Sequence, residues 1–188
     1  MFIGNGGYMR LIVPVNKNKP KTYIVGLDVS MSDTGYAVLD ELGNPVILSD
    51  VKPNKKQIVR DIDRQLFILD NLSKMIEDDT LMADKVVVCI EGYAFGSQVG
   101  KVFTRAELVG MIKRMLVLKD FEIYLIAPTS MKKFITGIGN ARKAEVIAAA
   151  KQKYGFEGKN DNICDALCLA KYCFDYLNGK NLNIEKIN

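Results

Sequence analysis

The sequence predicts an α/β domain in which helices flank a mixed central sheet of about five strands. Short apolar runs typical of strands alternate with longer segments that have helical spacing, and the first runs lie close enough along the chain to form antiparallel pairs. With 188 residues, 48% of them hydrophobic, the chain is long enough for one such domain with a sizeable core.

The first three strands are predicted near the N-terminal end of this domain. Residues 23–29 and 35–40 are β-type runs, and the turn-rich segment SMSDTG between them favours a hairpin. A third strand is predicted at 46–51, after the turn ELGNP. The preceding residues 1–21 contain one five-residue apolar run, LIVPV, which is too short for a signal sequence or a membrane span. We therefore predict a tail or an extra edge strand there.

The middle of the chain is predicted to alternate helices and strands. Between residues 54 and 78 the apolar residues recur at steps of three and four, which predicts an amphipathic helix. KVVVCIEG, at 85–92, is continuously apolar until its last carboxylate and glycine, as expected for a buried parallel strand. Helical spacing returns at 99–118, and FEIYLIAP predicts another strand at 121–128, which Pro128 ends.

The C-terminal part is predicted to be helical. TSMKKFITGIGNARKAEVIAAAKQKY has the pattern of a short helix, a glycine turn at Gly137 to Gly139 and a longer helix capped by Asn140. DNICDALCLAKYCFDYLNG predicts the last helix. The predicted domain accordingly covers 22–180, and 181–188 is expected to be a C-terminal tail.

The composition restricts the chemistry. There is no histidine, so Ser-His and Cys-His nucleophile systems and histidine-containing metal sites are excluded. The net charge of +4 favours a polyanionic partner without requiring one, and no membrane partner is expected. Four cysteines lie in apolar segments without a CxxC pair, and we interpret them as reduced core thiols of a cytoplasmic protein: Cys89, Cys164, Cys168 and Cys173.

Carboxylates occur in apolar surroundings in three separated segments. Asp28 lies within the first predicted strand, and Glu91 ends the fourth. Asp161 and Asp165 stand four residues apart on one face of the last helix. Hard divalent cations such as Mg²⁺ need oxygen ligands, and a pair of ions needs carboxylates from several elements. These acids are candidate metal ligands, although a bulge, a solvated strand end and a helix-dipole charge are alternative interpretations of the individual residues.

Four motifs together resemble the RuvC-type Holliday junction resolvases, a branch of the RNase H-like superfamily: GLDVSMSDTGYAV, IEGYAFG, KKFITGIGNARK and DNICDAL. They occur in the family's order between residues 23 and 178. The first motif alone also resembles the opening of sugar kinases and other actin-like ATPases. Those proteins need a second such domain and later nucleotide-binding motifs that this sequence lacks, so we expect an RNase H-like fold and no nucleotide cofactor.

The resemblance implies a set of catalytic metal ligands. Asp28, Glu91 and Asp165 match the family's ligands. The family has an acidic residue or histidine three positions before the last Asp, where this chain has Asn162, and the acid stands one residue earlier, at Asp161. Either Asp161 or Asn162 would complete the site. The implied cofactor is Mg²⁺, two ions per active site, which Mn²⁺ can replace.

The resemblance also implies basic residues that act on DNA. Lys132 and Lys143 match the family's two functional lysines, and Lys132 is expected to stabilise negative charge that develops on the phosphate. Lys133 and Arg142 belong to the same basic motif and are expected to contact DNA. A solvated basic helix face is the alternative interpretation of these four residues.

The family carries an aromatic residue, shortly after the strand-end Glu, that opens base pairs at the junction centre. The matching position is Ala94, and its neighbours Tyr93 and Phe95 are the candidates. An exposed aromatic ring there would stack on an unpaired base, whereas a buried one would fill the core.

The function that the resemblance implies is a structure-selective endonuclease that resolves four-way junctions, or other branched DNA, by paired symmetric incisions. Two sites facing a nearly two-fold symmetric junction imply a homodimer. Alternatives are another RNase H-like nuclease acting on RNA or flaps, and a DNA-binding module without catalysis. The expected location is the cytoplasm, that of the host if a phage encodes the chain. The candidate dimer surface is the apolar face of the helix at 99–118: Val102, Phe103, Met111 and Met115.

Overall fold

Eight strands and five helices follow one another in a computed structural model of the chain, which describes residues 2–3, 10–11, 22–81, 83–92 and 99–188. Only the backbone is described for 2–3, 10–11 and 99–101. The elements are β1 (Phe2–Ile3), β2 (Arg10–Leu11), β3 (Thr22–Asp28), β4 (Thr34–Leu39), β5 (Pro45–Val51), α1 (Asp61–Thr80), β6 (Lys85–Glu91), α2 (Val99–Leu118), β7 (Glu122–Ile126), α3 (Pro128–Thr136), α4 (Lys143–Tyr154), α5 (Asp161–Leu177) and β8 (Glu185–Lys186).

A mixed six-stranded sheet forms the centre of the fold, in the order β5-β4-β3-β6-β7-β8. Strand β3 pairs antiparallel with β4 and parallel with β6, and β6 pairs parallel with β7. The predicted mixed sheet flanked by helices is confirmed, with six strands in place of about five. Strands β1 and β2 pair only with each other in the described part of 1–21.

The sixth strand, β8, lies within 181–188, where the sequence predicts a tail. It pairs antiparallel with β7, Tyr124 opposite Lys186. The Ile187 N–H donates to the Ile123 carbonyl at 2.9 Å, and the Ile123 N–H donates to Asn188 Oδ1 at 2.9 Å. The sheet thus extends beyond the predicted boundary at 180, because a two-residue strand is too short to show an alternating pattern.

The core consists of two apolar layers, one on each face of the sheet. Helices α1 and α2 cover one face, and α3, α4 and α5 cover the other. All four cysteines are buried and unpaired, as predicted. None of the helices in the described ranges is long and apolar enough to cross a membrane.

Two helix starts differ from the prediction. Helix α1 begins at Asp61 rather than near 54, because the Asn54 carbonyl accepts from the Ile58 N–H at 2.8 Å and holds the chain in a turn. Helix α4 is capped at Arg142 rather than Asn140. The Glu145 carboxylate accepts from the Arg142 N–H at 2.6 Å, which satisfies a donor at the start of the helix.

Candidate active site

The strand pattern places two of the predicted acids side by side. Side chains alternate between the faces of a sheet, and Ile24 and Cys89 point towards the α5 layer. Asp28 and Glu91 have the same parity as these residues, so both belong to the α5 face. Leu27 is paired with Ile90 in the parallel ladder, and the two acids follow directly at the same strand ends. The mixed sheet therefore brings together carboxylates that are 63 residues apart in the sequence.

Two glycines let α5 lie directly on the sheet. A Cβ atom at Gly26 would stand 2.0 Å from the Ala166 carbonyl oxygen, and one at Gly35 would stand 1.9 Å from the Asn162 carbonyl oxygen. Real Cβ atoms do not approach so closely, so only glycine fits at either position. This close packing brings Asp165, on the first turns of α5, to the ends of β3 and β6.

Burial and neighbouring carboxylates raise the pKa of Asp28 and of Asp165. Burial, Glu91 and Asp165, in that order, raise the pKa of Asp28 to about 8, and nearby Arg105 and Lys143 oppose the shift. Burial and Glu91, followed by Asp161, raise the pKa of Asp165 to about 6. Three acids from three elements thus share one region of negative potential.

Arg105, on α2, is a site residue that sequence reasoning missed. Its Nη2 donates to Glu91 Oε2 at 2.8 Å, and its Nε donates to the Val29 carbonyl at 2.8 Å. The guanidinium therefore joins the ends of β3 and β6 and partly neutralises the acids. The sequence contained a signal for this role, because Arg105 stands three and four residues before the buried Leu108 and Val109. An arginine on that face of the helix needs a partner.

The donor set suits a hard divalent cation. The acids offer oxygen ligands, and a cation among them would counter the burial and the repulsion that raise the pKa of Asp28 and Asp165. As the side chains stand, no three acidic or thiol groups in the described ranges converge on one ion position. Glu91 is turned towards Arg105, and Asp161 towards Lys143. The residues fit a cation once these side chains rotate.

The two candidates for the remaining ligand differ in the clefts that they line, since Asn162 borders both neighbouring clefts and Asp161 only one of them. Asn162 lines the cleft that also contains Asp28 and Glu91. Asp161 lines the adjoining cleft, and its carboxylate pairs with Lys143. That ion pair is the first cause of the lowered pKa of Asp161.

Of the four predicted basic residues, two lie near the acids and two are exposed. Lys143 pairs with Asp161, and Lys143 and Lys132 both partly oppose the rise in the pKa of Asp165. Lys133 is exposed, and Arg142 is the exposed N-cap of α4. The aromatic candidates Tyr93 and Phe95, with Ala94, lie outside the described residues.

Asn160, whose role was also not predicted from the sequence, fixes the start of α5. Asn160 Oδ1 caps the helix by accepting from the Asn162 N–H at 2.9 Å. Its Nδ2 donates to Asp50 Oδ2 at 3.0 Å and to Asp33 Oδ2 at 3.3 Å. Lys52 Nζ stands 2.6 Å from Asp33 Oδ2. Asn160 therefore links the helix that carries the acids to the β3-β4 turn and to β5.

Comparisons with known sequences agree on one family. The family model described as crossover junction endodeoxyribonuclease RuvC matches residues 24–172. RuvC of Cytophaga hutchinsonii is 29% identical over 140 residues, which are 71% of this chain and 67% of the relative. RuvC of Carboxydothermus hydrogenoformans is 22% identical over 149 residues, which are 78% of this chain and 92% of the relative.

Solved structures show the same fold. Thermus thermophilus RuvC in complex with Holliday junction substrate matches with a TM-score of 0.69 at 16% identity, over 88% of this chain and 99% of the other. The yeast mitochondrial Holliday junction resolvase matches with a TM-score of 0.55 at 11% identity, over 81% and 77% of the two chains. At such identities the likeness supports the fold alone.

The family match covers most of the chain and includes both acid-bearing strands and α5. The predicted enzyme class, a hydrolase that cleaves phosphodiester bonds in DNA, is confirmed by the named relatives. Nucleases of this family depend on metal ions. The chain belongs to the RuvC family of crossover junction endodeoxyribonucleases.

Proposed function

We propose that the protein resolves Holliday junctions as a homodimer, with Mg²⁺ held in two positions by Asp28, Glu91 and Asp165. The observation that carries this proposal is that β3, β6 and α5 place these three carboxylates close together, where burial, Glu91 and Asp165 raise the pKa of Asp28 to about 8. Asn162, which shares the cleft of Asp28 and Glu91, is our candidate for the fourth ligand. Asp161 then stays with Lys143 beside the metal site.

The residues of this chain have distinct tasks in the proposed reaction. Divalent cations bound there would polarise the phosphate and lower the pKa of a water molecule. Arg105 holds the Glu91 carboxylate next to the end of β3, where this carboxylate would help to hold a cation. Lys132, beside Asp165, stabilises negative charge on the phosphate in the transition state. Lys143 neutralises Asp161 and lines the cleft that adjoins the one of Asp28 and Glu91.

A cleavage assay on a synthetic immobile four-way junction tests this function. In Mg²⁺ we expect paired nicks on opposite strands, with little cutting of a flap, a duplex or an RNA–DNA hybrid of the same sequence. Equal rates on flaps or hybrids would instead support another RNase H-like nuclease. Binding without any cutting in Mg²⁺ or Mn²⁺ would support a DNA-binding module.

The homodimer part of the proposal rests on apolar side chains exposed along α1 and α2. Phe103 is 63% exposed, Ile62 48% and Leu66 44%. Next to Leu66 and Phe103, Gln65 connects the two helices, because its Nε2 donates to the Thr104 carbonyl at 3.1 Å. Exposed apolar groups of this size on neighbouring helices are typical of an association surface. The other residues predicted for this surface are partly buried: Val102, Met111 and Met115.

Replacing Phe103 by Glu is expected to convert the dimer to a monomer, because the charge would be buried in the association surface. Sedimentation of the wild type should give twice the 21.0 kDa chain mass, and the variant should give the single mass. Leu118→Glu, at the other end of α2 and 70% exposed, is the control and should remain dimeric. A monomeric wild type that still makes paired nicks would contradict this surface.

Replacing Lys132 by Ala is expected to slow cleavage roughly 100-fold, as loss of one transition-state donor typically does. Junction affinity in Ca²⁺ should change by less than about threefold, because one phosphate contact among several is lost. Lys133→Ala is the matched control, since this neighbour on α3 is exposed and has no resolved effect on the acids. Equal rates for the two variants in single-turnover cleavage would remove Lys132 from the mechanism.

A further inference from the structure

A groove runs past the acids and is bordered by the segment that joins β5 to α1. One cleft of about 730 Å³ contains Asp28, Glu91 and Arg105 on one wall and Lys55 on the other. A second cleft of about 880 Å³ lies between Lys143 and the turn formed by residues 52–56. The clefts share Ser30, Ser32, Lys55 and Asn162, so they form one continuous groove along the site.

The wall opposite α4 is a hydrogen-bonded turn, residues 52–56, with the sequence KPNKK. The Asn54 side chain accepts from the Lys56 N–H at 3.1 Å, and its carbonyl accepts from the Gln57 N–H at 3.0 Å. Lys52 anchors the start of the turn through its contact with Asp33. The turn therefore presents Lys55 and Lys56 from a fixed backbone.

Some basic side chains of this groove form ion pairs with carboxylates, and others do not. Its other basic side chains, Lys52, Arg64, Arg105 and Lys143, each pair with a carboxylate. Lys55 and Lys56 are exposed, and no carboxylate within the described ranges forms an ion pair with either. Two unpaired ammonium groups on one wall of a groove favour an anionic ligand there. Because the groove runs from the cleft of Asp28 and Glu91 into the cleft of Lys143, an extended anionic ligand fits it best.

We propose that Lys55 and Lys56 bind backbone phosphates of the DNA strand next to the phosphate that is cut, so that the 52–56 turn forms the second basic wall of the DNA groove. This inference rests on the proposed function, because the strand must pass the acids to be cut. The first wall is the one that carries Lys143 on α4. Phosphate contacts of this type fix the register of a strand and carry no base preference.

The test compares junction binding in Ca²⁺ over a range of salt concentrations. In the double variant Lys55→Ala with Lys56→Ala, the slope of log affinity against log salt should become shallower by about two, since each phosphate contact contributes about 0.9. Lys55→Arg with Lys56→Arg should restore the slope. Lys74→Ala with Lys151→Ala removes the same charge from exposed positions outside the groove and should leave the slope unchanged.

An unchanged slope in the double alanine variant, or an equal loss in the control, would overturn the assignment. The readout is binding, so it stays valid if the wild type binds junctions without cutting them, a result that would refute the proposed function alone. Cleavage-site mapping adds a second criterion. In the double alanine variant the strand should lose its register, and nicks should spread around the main site. The double arginine variant should cut at a single position.

Discussion

Replacing Asp28 by Asn is expected to abolish metal-dependent cleavage while junction binding in Ca²⁺ remains within about threefold of the wild type. Burial, followed by Glu91 and Asp165, raises the pKa of Asp28 to about 8, and a neutral amide there removes a charged oxygen ligand from the acids. The contacts proposed above for the DNA backbone are made by basic side chains and not by Asp28, so affinity should survive. Single-turnover cleavage and fluorescence anisotropy measure the two effects separately.

The same substitution should change how stability depends on pH in the metal-free protein. The pKa of Asp28 is raised from 3.8 to about 8, so between these values the folded protein holds a proton that the unfolded chain has released. Wild-type stability therefore falls as the pH rises through this window, and Asp28→Asn should lack that part of the fall. At pH 8 the variant should be more stable than wild type by on the order of a few kcal/mol, since a tenfold change in an acid constant corresponds to about 1.4 kcal/mol.

Asp70→Asn, on the exposed side of α1, is the matched control and should change neither cleavage nor the pH profile. Urea unfolding of all three proteins with EDTA at pH 5 and pH 8 provides the comparison. Full cleavage by Asp28→Asn, or its unfolding at both pH values, would mean that the carboxylate is structural. The metal site proposed above would then be wrong.

Replacing Gly26 by Ala is expected to give the largest loss of stability among the single substitutions considered. The new Cβ would lie 2.0 Å from the Ala166 carbonyl oxygen and 2.9 Å from the Ala170 nitrogen. Both are backbone atoms, so no side-chain rotation relieves the clash, and α5 must move away from the sheet. We expect the free energy of unfolding to fall by about 3 kcal/mol or more, as measured by chemical denaturation.

The fraction of Gly26→Ala that still folds should also cleave more slowly. We expect a loss of roughly 100-fold if Asp165 is displaced by about 1 Å. The reason is that α5 carries Asp165 to the ends of β3 and β6. Gly110→Ala is the control, because a Cβ at that exposed position of α2 meets nothing within 4 Å. It should be neutral or stabilise by up to about 1 kcal/mol. A Gly26→Ala variant as stable as this control would show that the helix does not rest on the strand.

The acids could be predicted from the sequence because their positions follow from local rules. A carboxylate within an apolar strand, and another at the end of the next buried strand, are visible in the residue pattern, and parallel strands end at one edge of a sheet. The helix bearing Asp165 is equally visible from its spacing. What the pattern does not contain is the depth at which α5 packs, which depends on the contact of Gly26 and Gly35 with that helix.

Arg105, Asn160 and the 52–56 turn were missed for a related reason. Each acts through partners that are distant in the sequence: Arg105 through Val29, and Asn160 through Asp33 and Asp50. A polar residue looks the same in a sequence whether it faces solvent or a partner from another element. The start of α1 was misplaced because Asn54 forms a turn that competes with the helix.

Strand β8 also affects how the protein behaves at high concentration. An uncovered β7 would present a row of unpaired N–H and C=O groups, which is a template for pairing with other chains and for aggregation. Glu185 and Lys186 cover that row with two residues, and the charged side chains make the new outer edge unattractive to a further strand. Proteolytic loss of residues 181–188 would expose the β7 backbone. Clipped preparations should therefore precipitate at concentrations at which the intact chain stays dispersed.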